Sequence, residues 1–454
     1  MSSIFIEKAE RFLWGPPMLT AFVGVGMYFT FRSGFFQIRG FKLWFVKNIK
    51  EMLRGGKRDK GKDKNSISRF QALSGALAAC MGTGNIVGVA TALSAGGPGA
   101  LLWMEISAFF GMMTAYVESV LGIKYRRKNK RGEWLGGAMT YIEDGLGAKR
   151  TASIYAFLLA SSSFGIGSMT QVNSASSSLS ASFGISPYFT GAVFCVLTAF
   201  FVFGGIKRTA SLTEKLVPFV VAVFILSSLV VLAVNIERIP DALKMIFREA
   251  FSFGAAAKGC ASYGIGKAAR YGIARGVFSN EAGLGTSSII HSAADTDSPE
   301  SQGMLGMLEV FIDTVLMCTL TGLVILVSGA YSPGGALSGA ALYGAAFASV
   351  FGKTGGMILS VTVTLLAFAS LCGWSYYGEK GAEYVFSVRF VPVYRLLFVL
   401  SAFVGAVMKL TTVWSISDIL NSLMAVPNLI STVLLSDEAF CGFNRDKKPG
   451  RQRK

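Results

Sequence analysis

The chain has 454 residues, of which 52% are hydrophobic and 15% charged, and its mean hydropathy is +0.52. This composition is too apolar for a soluble protein of that length and indicates a polytopic membrane protein, embedded in a lipid bilayer. The net charge of +17 does not indicate a nucleic-acid partner, because the basic residues concentrate in a few connecting loops, where membrane topology accounts for them. Nothing in the sequence indicates an obligatory protein partner.

Apolar stretches of about 20 residues, the length that crosses a bilayer, occur eleven times. Their approximate spans are 16–34, 70–95, 99–123, 151–182, 187–205, 213–235, 262–292, 303–330, 355–387, 392–410 and 414–435. The sequence therefore predicts an all-α fold with eleven transmembrane helices.

The charges of the loops predict an orientation. The loop from Arg32 to Arg69 contains twelve Lys and Arg residues against three acids, and Lys124 to Arg150 contains eight more basic residues. Such loops remain in the cytoplasm, so we expect the N-terminus outside and the C-terminus, with its basic tail, inside. The first residues carry acids and no small-residue cleavage site, so we expect no removable signal peptide.

Two of the apolar segments are interrupted by glycine-rich polar runs, ACMGTGNIVG (Ala79 to Gly88) and RGVFSNEAGLG (Arg275 to Gly285). A helix-breaking run inside a membrane is costly unless it lines a cavity. Asn280 lies 195 positions after Asn85, and each run opens a set of five segments. An odd number of segments inverts the second set, so we predict a 5+5 inverted repeat whose two breaks meet near the membrane midplane.

This repeat divides the chain into four regions. They are an accessory N-terminal helix with a basic cytoplasmic loop (1–69), a first five-helix repeat (70–236), a second five-helix repeat (262–436) and a basic cytoplasmic tail (437–454). Inverted repeats that each begin with a broken helix are typical of secondary transporters.

The first break offers ligands from its backbone. Gly82 and Gly84 let a ligand approach the chain itself. The half-helix from about Asn85 begins with free amides and the positive end of its dipole, which favour a carboxylate. The half-helix before the break ends in free carbonyls near Ala78 and Met81, hard oxygen ligands suited to an alkali cation.

The second break offers side chains, among them Ser279, Asn280 and Glu281. Glu281 is either functional, as an amine partner, cation ligand or proton carrier, or it is protonated or hydrogen-bonded to the backbone of the broken helix and only holds its shape. Gln171 either reaches a zwitterion or bonds between helices. Trp374 either caps the pocket or packs ordinarily with its N–H satisfied.

Other chemically active residues receive no role. Four further acids lie within predicted segments, namely Glu105, Glu118, Glu309 and Asp313. Glu118 is near the end of its segment, and we expect it to pair with Lys124 or Arg126. The single histidine, His291, is expected at a helix end. The six cysteines are scattered singly, so a zinc or disulfide framework is not expected.

Six stretches carry a resemblance to a known family. They are FQALSGALAACMGTGNIVGVATALSAGGPGALLWM (Phe70 to Met104), GGAMTYIEDGLG (Gly136 to Gly147), SFGIGSMTQVNS (Ser163 to Ser174), RYGIARGVFSNEAGLG (Arg270 to Gly285), QGMLGMLEVFIDT (Gln302 to Thr314) and GWSYYGEKGAEY (Gly373 to Tyr384). Through them the chain resembles the alanine or glycine:cation symporter family. This resemblance implies a LeuT-type fold with one extra N-terminal helix, location in the plasma (cell inner) membrane, and uptake of a small neutral amino acid driven by sodium, less often by protons.

The resemblance also implies residue roles. Thr83 and Gly84 would present amides to the substrate carboxylate. The pocket would be lined by Asn85, Gln171, Phe278, Ser279, Asn280 and Trp374. Sodium would take the carbonyls of Ala78, Met81 and Leu366 and the hydroxyl of Ser370. The family commonly has two consecutive hydroxyl residues where this chain has Ala369 and Ser370, so one potential sodium ligand is missing here.

The leading hypothesis is thus a sodium-coupled alanine or glycine symporter working by alternating access. A proton-coupled symporter using Glu281 is the competing version. A cation channel is a remote alternative, because the GTGN run occurs once and no pore-helix hairpin surrounds it. The sequence does not contain the residues that a membrane enzyme would need, since His291 has no identifiable nucleophile partner. We therefore expect no catalytic activity.

Overall fold

The computed structural model describes residues 13–53, 63, 65–252, 265–408 and 410–441. Several basic residues that the sequence places in the cytoplasm, including Lys57, Arg58 and Lys60, lie outside these ranges, as does the tail from 442. The same holds for the predicted start of the seventh segment at 262.

Helices dominate the described residues, which also contain one short hairpin and an isolated parallel bridge between Ile67 and Ala294. The helices are α1 (Pro16–Ser33), α2 (Phe36–Arg39), α3 (Asn48–Leu53), α4 (Arg69–Cys80), α5 (Val87–Gly96), α6 (Gly99–Lys124), α7 (Ala138–Thr140), α8 (Lys149–Phe183), α9 (Pro187–Val202), α10 (Gly205–Val234), α11 (Ile239–Ala250), α12 (Ile265–Asn280), α13 (Ser287–Ser292), α14 (Pro299–Val327), α15 (Gly339–Phe351), α16 (Lys353–Phe386), α17 (Val391–Val407), α18 (Leu410–Leu434) and α19 (Ser436–Ala439). The antiparallel hairpin joins β1 (Arg127–Lys128) to β2 (Trp134–Leu135), with Arg127 opposite Leu135.

Some helical turns depart from α geometry. Wider π-helical turns occur at Lys42–Lys47, Tyr141–Gly145, Ser163–Met169 within α8 and Phe311–Cys318 within α14. Tighter 3₁₀ turns occur at Thr83–Asn85, Ile236–Arg238 and Val388–Phe390. π-turns are frequent at functional sites, because the extra residue rotates the side chains that follow it.

Each apolar segment predicted from the sequence coincides with a described helix or pair of helices. Within the described ranges, six helices are long and apolar enough to cross a bilayer by length and composition: α6, α8, α10, α14, α16 and α17 with the turn that precedes it. The pair α4 and α5 adds a seventh when it is taken as one bent span. The total of eleven spans and the inverted layout therefore remain predictions.

Two described helices of more than ten residues, α11 and α15, lie in predicted loops. The α11 helix, Ile239–Ala250, buries Ala242, Ile246 and Ala250, one face at four-residue spacing. The C-terminal end of α11 packs against α6, where Trp103 Nε1 donates to the Ala250 carbonyl (3.0 Å). The α15 helix follows the predicted eighth segment. Both helices are shorter than a membrane span, so a search for 20-residue apolar stretches passes over them.

Glycines set the distance between the helices around the two breaks. A methyl group on Gly272 of α12 would lie 2.2 Å from the Ala100 carbonyl oxygen of α6. One on Gly306 of α14 would lie 2.8 Å from the Ala115 carbonyl oxygen of the same helix. Such close approach is how small residues pack membrane helices. Helices α12 and α14 therefore pack closely against α6, and this packing positions the second break.

Candidate functional site

The first break is a bend of 57° between α4 and α5. The amide of Gly82 would return to the Ala78 carbonyl in a continuous helix, but it donates to the Cys80 carbonyl instead (2.8 Å). The Ala78 carbonyl is thus released from the helix ladder. Next to it, Ser370 Oγ of α16 donates to the Ala79 carbonyl (2.7 Å). Three of the four residues expected to hold sodium, namely Ala78, Met81 and Ser370, therefore lie at the end of α4.

Gln171 covers the amide expected to bind a carboxylate. Its Oε1 accepts the Thr83 amide (3.0 Å), and its Nε2 donates to the Ile166 carbonyl (3.0 Å). A methyl group on Gly82 would lie 2.6 Å from that Oε1. The Thr83 hydroxyl is buried without a hydrogen-bond partner among the described residues. The Thr83 amide is therefore already hydrogen-bonded to a side-chain oxygen, and the Gln171 side chain that carries this oxygen can rotate away.

The second break is a run of turns between α12 and α13. Gly283 and Gly285 have φ angles of 97° and 77°, and Glu281 has a φ of 58°. A side chain in this left-handed region costs free energy, so its persistence indicates that the surroundings hold it there. The Asn280 side chain closes the turn, since its Oδ1 accepts the Ala282 amide (3.0 Å).

Glu281 is buried and receives a hydrogen bond at each carboxylate oxygen. Trp374 Nε1 donates to Oε1 (2.9 Å), and the Thr286 hydroxyl donates to Oε2 (2.6 Å). The carboxylate thus joins the two sides of its own break and fastens them to α16. Both donors are side chains rather than the backbone groups expected from the sequence, and the Trp374 N–H is satisfied by this contact.

Glu118 of α6 holds the other side of the second break, which the sequence does not indicate. Its Oε1 accepts the amides of Gly283 and Gly285 (both 3.1 Å) and Asn428 Nδ2 (2.5 Å). Free amides at the start of a half-helix favour an anion, and here a carboxylate of the protein supplies it. Asn428 also donates to the Gly283 carbonyl (2.8 Å), so it clamps the same turn.

The pairing expected for Glu118 is wrong. Lys124 forms its ion pair with Glu438 of α19, and Arg126 donates to the backbone carbonyls of Ser292 (2.9 Å) and its neighbours. Glu118 is fully buried, because the face of α6 that carries it packs against the second break. Lys124 and Arg126 lie at the end of the helix, beyond that contact.

The two breaks meet. A methyl group on Gly84 would lie 3.4 Å from the Ser279 Cα and 3.6 Å from Phe278 Cδ1. Asp313 of α14 touches both breaks as well, because Asn85 Nδ2 and Ser279 Oγ donate to its carboxylate (2.7 and 2.8 Å). The structure therefore brings together the runs that the sequence places 195 residues apart.

Phe278 and an ion pair cover this site. The Phe278 ring stacks on Trp414 with centroids 5.0 Å apart. The Arg275 guanidinium lies 5.4 Å from each ring centroid and bonds Asp418 (2.9 Å). The side chains expected in the site are at most 4% exposed, namely Thr83, Asn85, Gln171, Phe278, Ser279, Asn280, Glu281, Ser370 and Trp374. The arrangement is occluded.

A salt-bridge network fastens the hairpin to the end of α16. Lys380 Nζ bonds both Glu133 of the hairpin and Glu383 (both 2.9 Å). Burial alone raises the pKa of Glu133, but the neighbouring Lys380 ammonium outweighs this and holds that pKa below its usual range.

His291 is at the last turn of α13, as expected, and is buried with its Nε2 3.0 Å from Glu309.

Comparisons with known proteins identify the family. The sequence profile of the sodium:alanine symporter family matches residues 1–453. The sodium/alanine symporter AgcS of Methanococcus maripaludis is 44% identical over 443 residues, covering 95% of this chain and 94% of that protein. The probable sodium/glutamine symporter GlnT of Bacillus subtilis is 36% identical over 448 residues, covering 98% and 91%.

A solved structure supports the fold. A manganese transporter from Eremococcus coleocola aligns with a TM-score of 0.52 at 17% identity, covering 84% of this chain and 82% of that one. At this identity the likeness concerns the fold alone. The family match over residues 1–453 and the apolar helices indicate a multi-pass membrane transporter, and this structural likeness agrees with them. The chain therefore belongs to the sodium:alanine symporter family.

Proposed function

We propose that this protein takes up alanine or glycine together with sodium across the cell inner membrane by alternating access. The observation that carries the proposal is the meeting of two backbone breaks around the Thr83 amide and the released Ala78 carbonyl. AgcS is named as a sodium/alanine symporter and GlnT as a probable sodium/glutamine symporter, which supports a small neutral amino acid as substrate. The inverted repeat, an outside N-terminus and a cytoplasmic C-terminus are parts of the same proposal.

The substrate carboxylate would bind the amides of Thr83 and Gly84. Gln171 Oε1 now accepts the Thr83 amide, so this side chain rotates away when substrate enters and then offers its Nε2 to the carboxylate. Asn85, Ser279 and Asn280 supply the polar side of the pocket. Phe278 and Trp374 supply the apolar walls. Binding energy thus comes from the backbone, and we expect the two aromatic rings to limit the size of the substrate side chain.

Sodium would bind the carbonyls of Ala78, Met81 and Leu366 and the hydroxyl of Ser370. All four residues are buried. The Ala78 carbonyl has lost its helical partner, and the Ser370 hydroxyl faces the same helix end. Hard oxygens of this kind suit an alkali cation. A cation here also neutralises the substrate carboxylate on the adjoining amides, so each ligand lowers the cost of burying the other.

Counterflow of labelled alanine in proteoliposomes tests this function. We expect exchange in sodium buffer and little exchange when choline replaces sodium. Uptake that responds to neither a sodium gradient nor a pH gradient would contradict the proposal of coupled transport.

Replacing Ser370 tests the sodium ligands. We expect S370A to raise the sodium concentration for half-maximal alanine uptake about tenfold, because one of four oxygens is lost. Ser375 is a matched control on the same helix, since its hydroxyl only donates to the Cys372 carbonyl (2.7 Å), and S375A should behave as the unmodified protein. Equal sodium dependence in S370A and S375A would place the ion elsewhere.

Proton coupling through Glu281 is the competing function, favoured by the burial of this carboxylate without an ion-pair partner among the described residues. We expect E281Q to retain sodium-driven uptake within about threefold, because a glutamine can accept from Trp374 and donate to a reoriented Thr286 hydroxyl. The measurement compares uptake driven by sodium at constant pH with uptake driven by a pH gradient alone. Uptake driven by the pH gradient in the unmodified protein and absent in E281Q would assign the proton to Glu281.

A further inference from the structure

The accessory helix α1 reaches the cover of the candidate site, although the proposed binding sites do not use it. Trp14 lies just before α1 and is buried, and its Nε1 donates to the backbone carbonyl of Asp418 in α18 (2.9 Å). The carboxylate of the same aspartate bonds Arg275 (2.9 Å), whose guanidinium lies against Phe278 and Trp414. Trp14 therefore holds the backbone of the acid that closes the cover.

This hydrogen bond links two helices and is not needed to satisfy the carbonyl. The Asp418 carbonyl also accepts the Ser422 hydroxyl of its own helix (3.1 Å). Without the Trp14 N–H this carbonyl keeps a donor, so the cost of a buried unsatisfied group does not arise. Removing the N–H should therefore change the position of Asp418 more than the stability of the fold.

Phe22 connects the same helix to the second break. Its ring is buried and stacks on the Trp14 ring, with centroids 5.9 Å apart and planes 10° from parallel. A methyl group on Gly283 would lie 2.7 Å from two carbons of the Phe22 ring. Gly283 has a φ of 97°, and its amide donates to Glu118 (3.1 Å). The Phe22 ring thus packs directly against the turn that Glu118 holds.

The α1 helix serves as a fixed support because it lies close to α6. A methyl group on Gly26 would lie 2.7 Å from the Phe110 carbonyl oxygen of α6. Close backbone approach of this kind is typical of tightly packed membrane helices. One helix outside the predicted repeat therefore connects α6, the second break and the cover.

We propose that Trp14 and Phe22 are positioning residues that keep the bound amino acid in the site. Trp14 keeps Asp418 in place for Arg275, and Phe22 braces the Gly283 turn, so together they slow the opening of the cover. The proposal rests on the proposed amino-acid transport, and neither residue contacts the substrate in it. In the proposed orientation the cover faces the outside, so these residues delay the return of the amino acid to that side.

The test measures dissociation of labelled alanine from the purified full-length protein in sodium buffer. W14F keeps an aromatic ring and removes the N–H donor. We expect alanine to dissociate about tenfold faster, with a nearly unchanged unfolding temperature. W44F is the matched control, because Trp44 is also buried and its Nε1 donates to a backbone carbonyl, that of Gln37, at the same distance (2.9 Å). It should release alanine at the unmodified rate.

A double variant tests the connection through Asp418. In R275Q the ion pair with Asp418 is already absent. If Trp14 acts by holding Asp418 for Arg275, adding W14F to R275Q should change the dissociation rate less than about twofold. A role of Trp14 in general stability would instead leave the tenfold effect intact.

Phe22 gives a second comparison, which also decides the matter if W14F does not fold. F22L keeps an apolar side chain but shortens it, so the contacts with the Trp14 ring and Gly283 weaken. Phe29 is a control on the same helix, since it is buried and its ring lies 6.0 Å from that of Phe440 instead. We expect F22L to release alanine several times faster than F29L, roughly threefold or more.

The outcomes separate this proposal from the proposed function. If the unmodified protein does not bind alanine in sodium buffer, the proposed function is contradicted and this proposal with it. Release by W14F at the unmodified rate, or equally fast release by W14F and W44F, would overturn only the role of Trp14. A tenfold effect of W14F that persists in R275Q would overturn it equally, and equal release by F22L and F29L would overturn the role of Phe22.

Discussion

The G82A variant should fold and yet fail to transport alanine. A methyl group on Gly82 would lie 2.6 Å from Gln171 Oε1 and 2.9 Å from Ser370 Oγ. Both atoms end movable side chains, so the methyl group displaces them rather than preventing folding. The displaced side chains are those proposed to contact the substrate and the sodium ion. We expect alanine binding at least about 100-fold weaker, corresponding to about 2.7 kcal/mol, measured by scintillation proximity with purified protein.

Gly88 provides the matched control for this change. It lies in α5, just beyond the same break, and a methyl group there meets no atom within 4 Å. G88A should therefore bind alanine like the unmodified protein, and both variants should unfold at similar temperatures. Normal alanine binding by G82A would mean that the substrate does not bind at the first break.

The second large effect is expected for E118A. Removing this carboxylate leaves the buried amides of Gly283 and Gly285 without an acceptor, and Asn428 Nδ2 keeps only the Gly283 carbonyl. Each unsatisfied donor costs about 1–3 kcal/mol. We expect the free energy of unfolding to fall by about 3 kcal/mol or more, with loss of transport because the second break loses its shape. Thermal unfolding in detergent gives the first quantity, and proteoliposome uptake gives the second.

Two further variants test the cause of that effect. E118Q keeps an oxygen at the same position, so it should recover most of the stability. E105A removes an acid of the same helix that accepts one hydrogen bond, from Thr319, and should cost less than E118A. If E105A and E118A lower the free energy of unfolding by similar amounts, Glu118 has no special role at the break.

The first break could be predicted from the sequence because its chemistry is local. Glycines next to Thr83 and Asn85 cannot continue a membrane helix at low cost, and α4 ends at Cys80 as the pattern requires. Gln171 could also be proposed, since an amide within a helix of small residues is conspicuous. Its contact with the Thr83 amide depends on packing and is visible only in the structure.

Glu118 and Asp313 could not be assigned roles in advance. Both are acids inside apolar segments, and that was the available signal. Their functions depend on which face of a helix turns towards the breaks, and helix phase in α14 is changed by the π-helical turn Phe311–Cys318, which no periodicity reveals. The pairing expected for Glu118 was wrong because it was based on proximity along the chain, whereas tertiary packing turns this side of α6 towards the second break.

In the proposed function, the backbone of the first break binds an amino-acid carboxylate together with sodium. Binding of labelled alanine to the purified protein in sodium and in choline buffer tests this, with unlabelled alaninamide, which lacks the carboxylate, as competitor. We predict binding in sodium that is at least about tenfold weaker in choline, and no competition by alaninamide. Equal binding in the two buffers, or competition by alaninamide as strong as by alanine, would contradict this account.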